Sequence, residues 1–309
     1  MSGPPPDPFY ILRGGGSPVT AVIFGFIREE QHLFSGDDKG IIRIWNLSTK
    51  RTNKILNGHD GKSIINLQWL KDDKLLSFAR DGYLLIWNVY HEKILIRLKI
   101  FGFGFSKCEV IYYSNSNISV ATNSKEQSQI DILCTKSNQV LKKLVPKSSQ
   151  SLGMCMCLKN VQHEELLAGY ENGDLVLWNT TSAKMISKLT MHEEPVMCID
   201  FDPNSGRGIT GSAETQLKVF KITMNSHLEL ERTVIIKNPG VSDVKIRGDG
   251  KITATAGWDN KLRIFSWKSL KPLAILNYHT QTLNSLSFSK EQILAAASKD
   301  GRISLWSLY

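Results

Sequence analysis

The stretch ILAAASKDGRISLWSLY, from Ile293 to Tyr309, reads as two short strands joined by a tight turn. Residues 293–297 and 302–306 are the strands, and Lys299, Asp300 and Gly301 supply the turn chemistry between them. The phrase recurs as LLSFARDGYLLIWNV (75–89), LLAGYENGDLVLWNT (166–180) and ITATAGWDNKLRIFSW (252–267). Weaker copies are LFSGDDKGIIRIWNL (33–47) and GITGSAETQLKVFKI (208–222). The bulky residue closing each second strand is Trp45, Trp87, Trp178, Phe220, Phe265 or Trp306, at gaps of 42, 91, 42, 45 and 41 residues. A gap of 91 is two periods, and ISVA (118–121) followed by QIDIL (129–133) lies near its middle as a degraded copy. The count is therefore seven.

A period of roughly 40–45 residues built from paired short strands is the mark of a WD-repeat β-propeller. The expected fold is all-β: seven four-stranded blades set radially about a channel. A lone blade leaves both faces of its sheet bare, so the periodic Trp and Phe side chains read as packing between neighbouring blades. After Trp306 only three residues remain, so the last repeat lacks its outermost strand. The first strand-like stretch, FYILR at 9–13, precedes the first repeat and is expected to complete that blade, closing the fold. This predicts one domain over 1–309, with residues 1–8 a flexible tail. SNSN (114–117) and SKEQS (124–128) read as exposed loops of the degraded third copy.

Bulk composition fits a globular class: 41% of the 309 residues are hydrophobic, and no apolar run approaches a membrane span. The opening MSGPPPDPF has neither the basic region nor the apolar core of a secretion signal, so an intracellular protein is expected. Five cysteines, an odd number, agree with that compartment. Cys155 and Cys157, two apart on a strand, are expected on one face of the sheet as buried free thiols, without the further ligands a metal would need. Net charge is +9, from 38 basic and 29 acidic residues, but the basic residues are scattered. A nucleic-acid groove needs clustering and stacking aromatics, so the charge reads as solvated blade edges.

Blade seven carries His279, Ser298, Asp300 and Trp306, the residue types of the hydrogen-bonded structural tetrad of WD-repeat blades. Pieces of the set recur. Blade two has His59, Asp81 and Trp87 but Ala79 where the serine is expected; blade five has His192 and Ser212 with Glu214 in place of aspartate; blade six has Asp259 without a histidine. A Ser-His-Asp set invites a hydrolase reading, yet its membership of the repeat assigns it to structure. No nucleophile elbow, phosphate loop or zinc-protease motif occurs, and GGG (14–16) and GFGF (102–105) do not lead into helices. The reading assigns no catalytic residue, cofactor or metal.

By resemblance to WD-repeat proteins, the residue before each turn aspartate faces a rim where partners dock. Here those residues are Arg80, Glu171, Ala213, Trp258 and Lys299. Trp258 is the sharpest candidate, a large aromatic in a rim position. Glu193 and Glu194, between blades four and five, are expected on the same side.

Longer phrases carry a narrower resemblance: HEEPVM (192–197), NPGVSDVKIR (238–247), TAGWDNKLRIF (255–265), KDGRISLWSL (299–308), LLAGYENG (166–173) and PPPDPFYILRG (4–14). With these, the chain resembles the ASTRA-associated family of WD-repeat proteins along its whole length, least in the third repeat. The resemblance implies a non-catalytic scaffold, a co-chaperone adaptor for phosphatidylinositol 3-kinase-related kinases. Its implied partners are those kinases, a Tel2-containing co-chaperone complex and RuvB-like ATPases, and its implied setting is cytoplasmic and nuclear, as a monomeric propeller within a complex. Three other readings stand beside it. A G-protein β subunit calls for an N-terminal helix, against a Pro/Gly-rich start. A cullin-ligase substrate receptor calls for a Trp-Asp-x-Arg ending, where this chain has Trp-Asn or Trp-Ser. A chromatin or nucleic-acid reader calls for salt-sensitive binding.

Overall fold

Alternating apolar residues in runs of four to nine, punctuated by turn residues, form strands throughout. The computed structural model describes residues 6–100, 102, 106–112, 118–146, 151–162 and 164–308. They make seven four-stranded antiparallel sheets, and the fold is a seven-bladed β-propeller. The strand β1 (Tyr10–Arg13) is followed by blade one, β2 (Val19–Ile27), β3 (Glu30–Asp37), β4 (Ile41–Asn46) and β5 (Arg51–Asn57). Blade two is β6 (Ile64–Trp69), β7 (Lys74–Ala79), β8 (Tyr83–Asn88) and β9 (Lys93–Lys99). Blade three is β10 (Glu109–Tyr112), β11 (Ile118–Asn123), β12 (Ile130–Cys134) and β13 (Gln139–Leu144). Blade four is β14 (Cys155–Asn160), β15 (Glu165–Tyr170), β16 (Asp174–Asn179) and β17 (Lys184–Thr190). Blade five is β18 (Val196–Asp202), β19 (Arg207–Ser212), β20 (Gln216–Ile222) and β21 (Leu228–Ile235). Blade six is β22 (Val241–Ile246), β23 (Ile252–Gly257), β24 (Leu262–Ser266) and β25 (Pro272–Leu276). Blade seven is β26 (Leu283–Phe288), β27 (Ile293–Ser298) and β28 (Arg302–Ser307).

β1 supplies the fourth strand of blade seven. It pairs antiparallel with β28, Tyr10 opposite Leu305 and Arg13 opposite Arg302, and the Phe9 N–H extends the ladder to the Leu305 carbonyl at 3.0 Å. The expected tail falls partly outside the described residues, as do the loop expected at 114–117 and most of the 102–105 loop. The 124–128 loop is exposed at Lys125, Glu126 and Gln127, while Ser124 is buried.

The chain divides into two compact units, residues 1–97 with 242–309, and residues 98–241. In the first, a core between blades one and two gathers Phe34, Ile42, Leu67 and Trp87. A second, between blades six and seven, gathers Ile264, Leu286 and Trp306. A third, between blades seven and one, gathers Leu12, Leu33, Trp45 and Leu305. In the second unit, Trp178 and Ile132 share the core between blades three and four, and Phe220 joins Leu167 and Val196 between blades four and five. All six periodic aromatics are buried, none more than 4% exposed.

Innermost strands have a free backbone edge, and side chains of the preceding blade occupy it. The Ser285 and Ser287 hydroxyls accept the N–H groups of Val22 (3.2 Å) and Phe24 (3.1 Å). Asn284 donates its amide to the Val19 carbonyl at 2.8 Å, and Asp243 accepts the Leu286 N–H at 2.9 Å.

Most innermost strands carry a β-bulge near their start, between Val19 and Ala21, Ile64 and Asn66, Cys155 and Cys157, Val196 and Cys198, and Leu283 and Ser285. The extra residue reverses the alternation. It corrects the expectation for the cysteine pair: Cys155 faces Tyr170 and Cys157 faces Gly169 across the ladder, so their side chains enter different cores, Cys155 between blades three and four and Cys157 between blades four and five. Both are free, buried thiols, and burial raises both thiol pKa values.

Leu12, 1% exposed, lies in the core between blades seven and one. Leu12→Ala is expected to cost about 2–4 kcal/mol in urea denaturation, a core penalty at a position near the chain end. A loss below about 0.5 kcal/mol would show that β1 contributes only as a frayed terminus.

Candidate functional site

Three blades hold a buried chain of polar groups. In blade seven, His279 Nδ1 lies 2.9 Å from Asp300 Oδ2, His279 Nε2 lies 2.8 Å from Ser304 Oγ, and Trp306 Nε1 lies 2.7 Å from the same hydroxyl. A carboxylate only accepts and an indole only donates, which fixes the direction of every bond around a neutral imidazole. Trp306 donates to Ser304, the Ser304 hydroxyl donates to Nε2, and the Nδ1–H donates to Asp300. Asp300 Oδ1 also accepts the Arg302 N–H at 3.0 Å and so fixes the turn.

The serine is Ser304, which corrects the expectation for Ser298. Leu294 stands opposite Trp306, so the positions level with the indole N–H are Ala296 and, across the ladder, Ser304. Ser298 lies two residues further along β27, roughly 7 Å away. Its hydroxyl instead bonds the Gln281 and Thr282 carbonyls and accepts the Asp300 N–H. The same offset recurs. In blade two the serine is Ser77, two residues before Ala79; it bonds His59 Nε2 at 2.7 Å and Trp87 Nε1 at 2.9 Å, while His59 Nδ1 meets Asp81 at 2.9 Å. In blade five the hydroxyl is Thr210, two residues before Ser212, at 2.8 Å from His192 Nε2, and His192 Nδ1 bonds Glu214.

Blades one and six do the job with arginine. Arg43 pairs with Asp37 at 2.6 Å while Trp45 donates to Ser35 at 2.8 Å, and Arg263 holds Asp259 through two nitrogens. Arg43 and Arg263 each stand two residues before the closing aromatic, a spacing legible in the sequence, whereas the tetrad pattern of histidine, serine and aspartate does not include them. Gly58 permits the set in blade two by lying against the indole, since a Cβ there would sit 2.7 Å from Trp87.

Ser77, Thr210 and Ser304, which carry the hydroxyls, are fully buried, and their bonds tie the strands of a blade to its turn. Among the described residues, no group of three or more His, Cys, Asp and Glu side chains could hold a metal ion. Burial pushes the His59, His192 and His279 rings below the ordinary imidazole value of 6.5, outweighing their carboxylate neighbours.

The rim residues occupy equivalent positions. The N–H groups of Arg80, Glu171 and Lys299 each bond, at 2.9 Å, the carbonyl just before their blade's inner strand, and Asp38 does so at 3.0 Å in blade one. The sequence reading missed Asp38, because GDDKG (36–40) offers two aspartates and the register decides between them. In the first unit, Arg80, Trp258 and Lys299 are exposed, and Trp258 leaves 42% of its surface in solvent. In the second unit, Glu171, Glu193 and Glu194 are exposed and Ala213 is half-buried. Glu171 Oε2 accepts the Met154 N–H at 3.0 Å, so that carboxylate serves its own blade.

The model of the WD domain, G-beta repeat, matches residues 7–46, 50–88, 183–221, 231–266 and 270–307. The chain belongs to the WD-repeat family. Each matched repeat begins with the outer strand of the preceding blade and ends with the third strand of its own, which is why the first begins at β1. Over 317 aligned residues, 99% of this chain and 97% of the relative, it is 38% identical to guanine nucleotide-binding protein subunit beta-like protein 1 of Mus musculus. It is also similar over 98% of its length to ASTRA-associated protein 1 of Schizosaccharomyces pombe, 28% identical, and of Verticillium alfalfae, 25% identical; the match covers 99% and 93% of those proteins.

An unfolded histidine takes up its proton near 6.5, whereas these folded rings resist it to lower pH. Their contribution to stability is therefore present above 6.5 and lost as pH falls through that value, by up to about 1.4 kcal/mol per histidine per pH unit. Urea denaturation from pH 7.5 to 5.0 is expected to show this fall, less steeply in His279→Gln. Ser304→Ala strands an imidazole nitrogen and an indole N–H, and is expected to cost about 1–3 kcal/mol at pH 7.5.

Proposed function

We propose that this WD-repeat protein is a non-catalytic adaptor that holds protein partners together, and that its role is that of a co-chaperone scaffold in the maturation of phosphatidylinositol 3-kinase-related kinases. The observation that carries the reading is similarity over essentially full length to proteins named ASTRA-associated protein 1. A fold whose buried polar groups are committed to holding blades together supports it, since what such a protein offers is surface. The partners proposed are the kinases, a Tel2-containing co-chaperone complex and RuvB-like ATPases, met in cytoplasm and nucleus by a single propeller domain.

Trp258 is the proposed anchor on the rim, with Arg80 and Lys299 of the same unit as further contacts. A half-exposed indole contributes to affinity when a partner covers it and little to folding while it is bare. Glu171, Glu193 and Glu194 are proposed as the acidic contacts of the other unit.

Affinity purification at native expression, read by mass spectrometry, is expected to recover the kinases and the Tel2-containing complex with the wild type. Trp258→Ala is expected to recover at least tenfold less while its thermal midpoint stays within about 2 °C of wild type. Recovery of a G-protein γ subunit or of a cullin complex would replace the reading. A large drop in thermal midpoint would make Trp258 a structural residue.

A further inference from the structure

At the opposite ends of β3, β7 and β27 from the rim turns lies a concavity of about 410 Å³, lined by Phe26, Arg28, Glu29, Trp69, Asp72, Asp73 and Lys290. Its aromatic wall is fixed. Trp69 stacks on Phe34 with ring centres 5.2 Å apart and lies so close to the backbone of β2 that a Cβ at Gly25 would come within 2.4 Å of it. The two turns that form its lip are hairpin turns of left-handed residues without a glycine: Arg28 and Glu29 at φ 46° and 70°, Asp72 and Asp73 at 60° and 52°. The Arg28 N–H donates to Asp73 Oδ1 at 3.0 Å and ties one turn to the other.

The charges are sorted. Both cations of the lining are engaged with aromatic rings: Arg28 lies 3.7 Å from the centre of Tyr90, and the Lys290 ammonium lies 4.5 Å from the centre of Phe26. Three carboxylates complete the lip, Asp72 with 80% of its side chain in solvent and only a 3.4 Å contact to Lys74. In a chain of net charge +9 the lining thus carries one net negative charge, three carboxylates against two cations, around an aromatic wall. Lys290 on Phe26 shows that the wall accepts an alkylammonium.

We propose that this concavity is a second docking surface, independent of the rim, that takes an arginine or lysine side chain of an extended basic peptide segment in a protein partner. The cation lies against Trp69 and Phe26 and its charge ends among Glu29, Asp72 and Asp73. The carboxylate lip repels phosphate, which sets this partner apart from a nucleic acid. Lys290 competes for the Phe26 face and is displaced when the segment binds.

The test follows the Trp69 indole resonance of the full chain, assigned with Trp69→Phe, during titration with Ac-Ala-Arg-Ala-NH2 and with Ac-Ala-Glu-Ala-NH2. The arginine peptide is expected to give a saturable shift and the glutamate peptide none. Glu29→Gln and Asp72→Asn, both at exposed positions, are each expected to weaken binding about two- to fivefold. Lys290→Ala is expected to tighten it by a similar factor. The proposal is overturned if the arginine peptide gives no saturable shift, if the glutamate peptide or a short RNA shifts the resonance equally, if both carboxylate variants bind as wild type, or if Lys290→Ala binds more weakly.

Discussion

A four-stranded blade has two apolar faces and no means of covering either, and burial of those faces against the next blade is the interaction on which this protein rests. Trp45, Trp87, Trp178, Phe220 and Trp306 recur because each fills the same place in such a layer, and Phe265 is buried as they are. Fully burying an aromatic or aliphatic side chain contributes roughly 1.5–3 kcal/mol, so a layer of ten or more outweighs any polar contact described here. The constraint also explains why β1 packs as the outer strand of blade seven. Without β1, the edge of β28 and the apolar side of Leu305 would face water.

Polar groups then decide how each layer is aligned. An indole N–H carried into a core needs an acceptor, and a hydroxyl that accepts it has its own proton to place. Histidine passes that proton demand on to a carboxylate at the turn, so one short chain of bonds links indole, strand and turn. Where arginine replaces histidine, the turn carboxylate is held directly and the hydroxyl serves the indole alone, as Ser35 does for Trp45. These are two solutions to one problem of satisfaction.

Periodicity made the blade count, the strand pairs and the sharing of a blade by both chain ends legible in the sequence, because each follows from counting. The tetrad was legible in residue type and not in register. Ser298 stands in the conventional phrase, yet the indole lies level with Ala296, and the serine has crossed to Ser304 on the neighbouring strand. Alternation along one strand cannot reveal which cross-strand neighbour is level with a third residue. The bulge between Cys155 and Cys157 was hidden for a related reason: a one-residue slip leaves the hydrophobic pattern on both sides of it intact. The acidic concavity was invisible because its residues come from Phe26 to Lys290, far apart in the chain and unremarkable in each segment.

The family's relatives carry names of assembly, and this chain's architecture is suited to it: blades held by buried layers, with exposed turn residues such as Arg80 and Lys299 at one end of the strands and Glu29 and Asp72 at the other. What that account requires above all is that the first strand belongs to the last blade. Hydrogen exchange read by mass spectrometry measures this directly. Peptides covering residues 9–13 and 302–307 are expected to exchange at similarly slow rates at pH 7 and to lose protection together in urea. Exchange of residues 9–13 at the rate of an unstructured peptide, beside a protected 302–307, would contradict it.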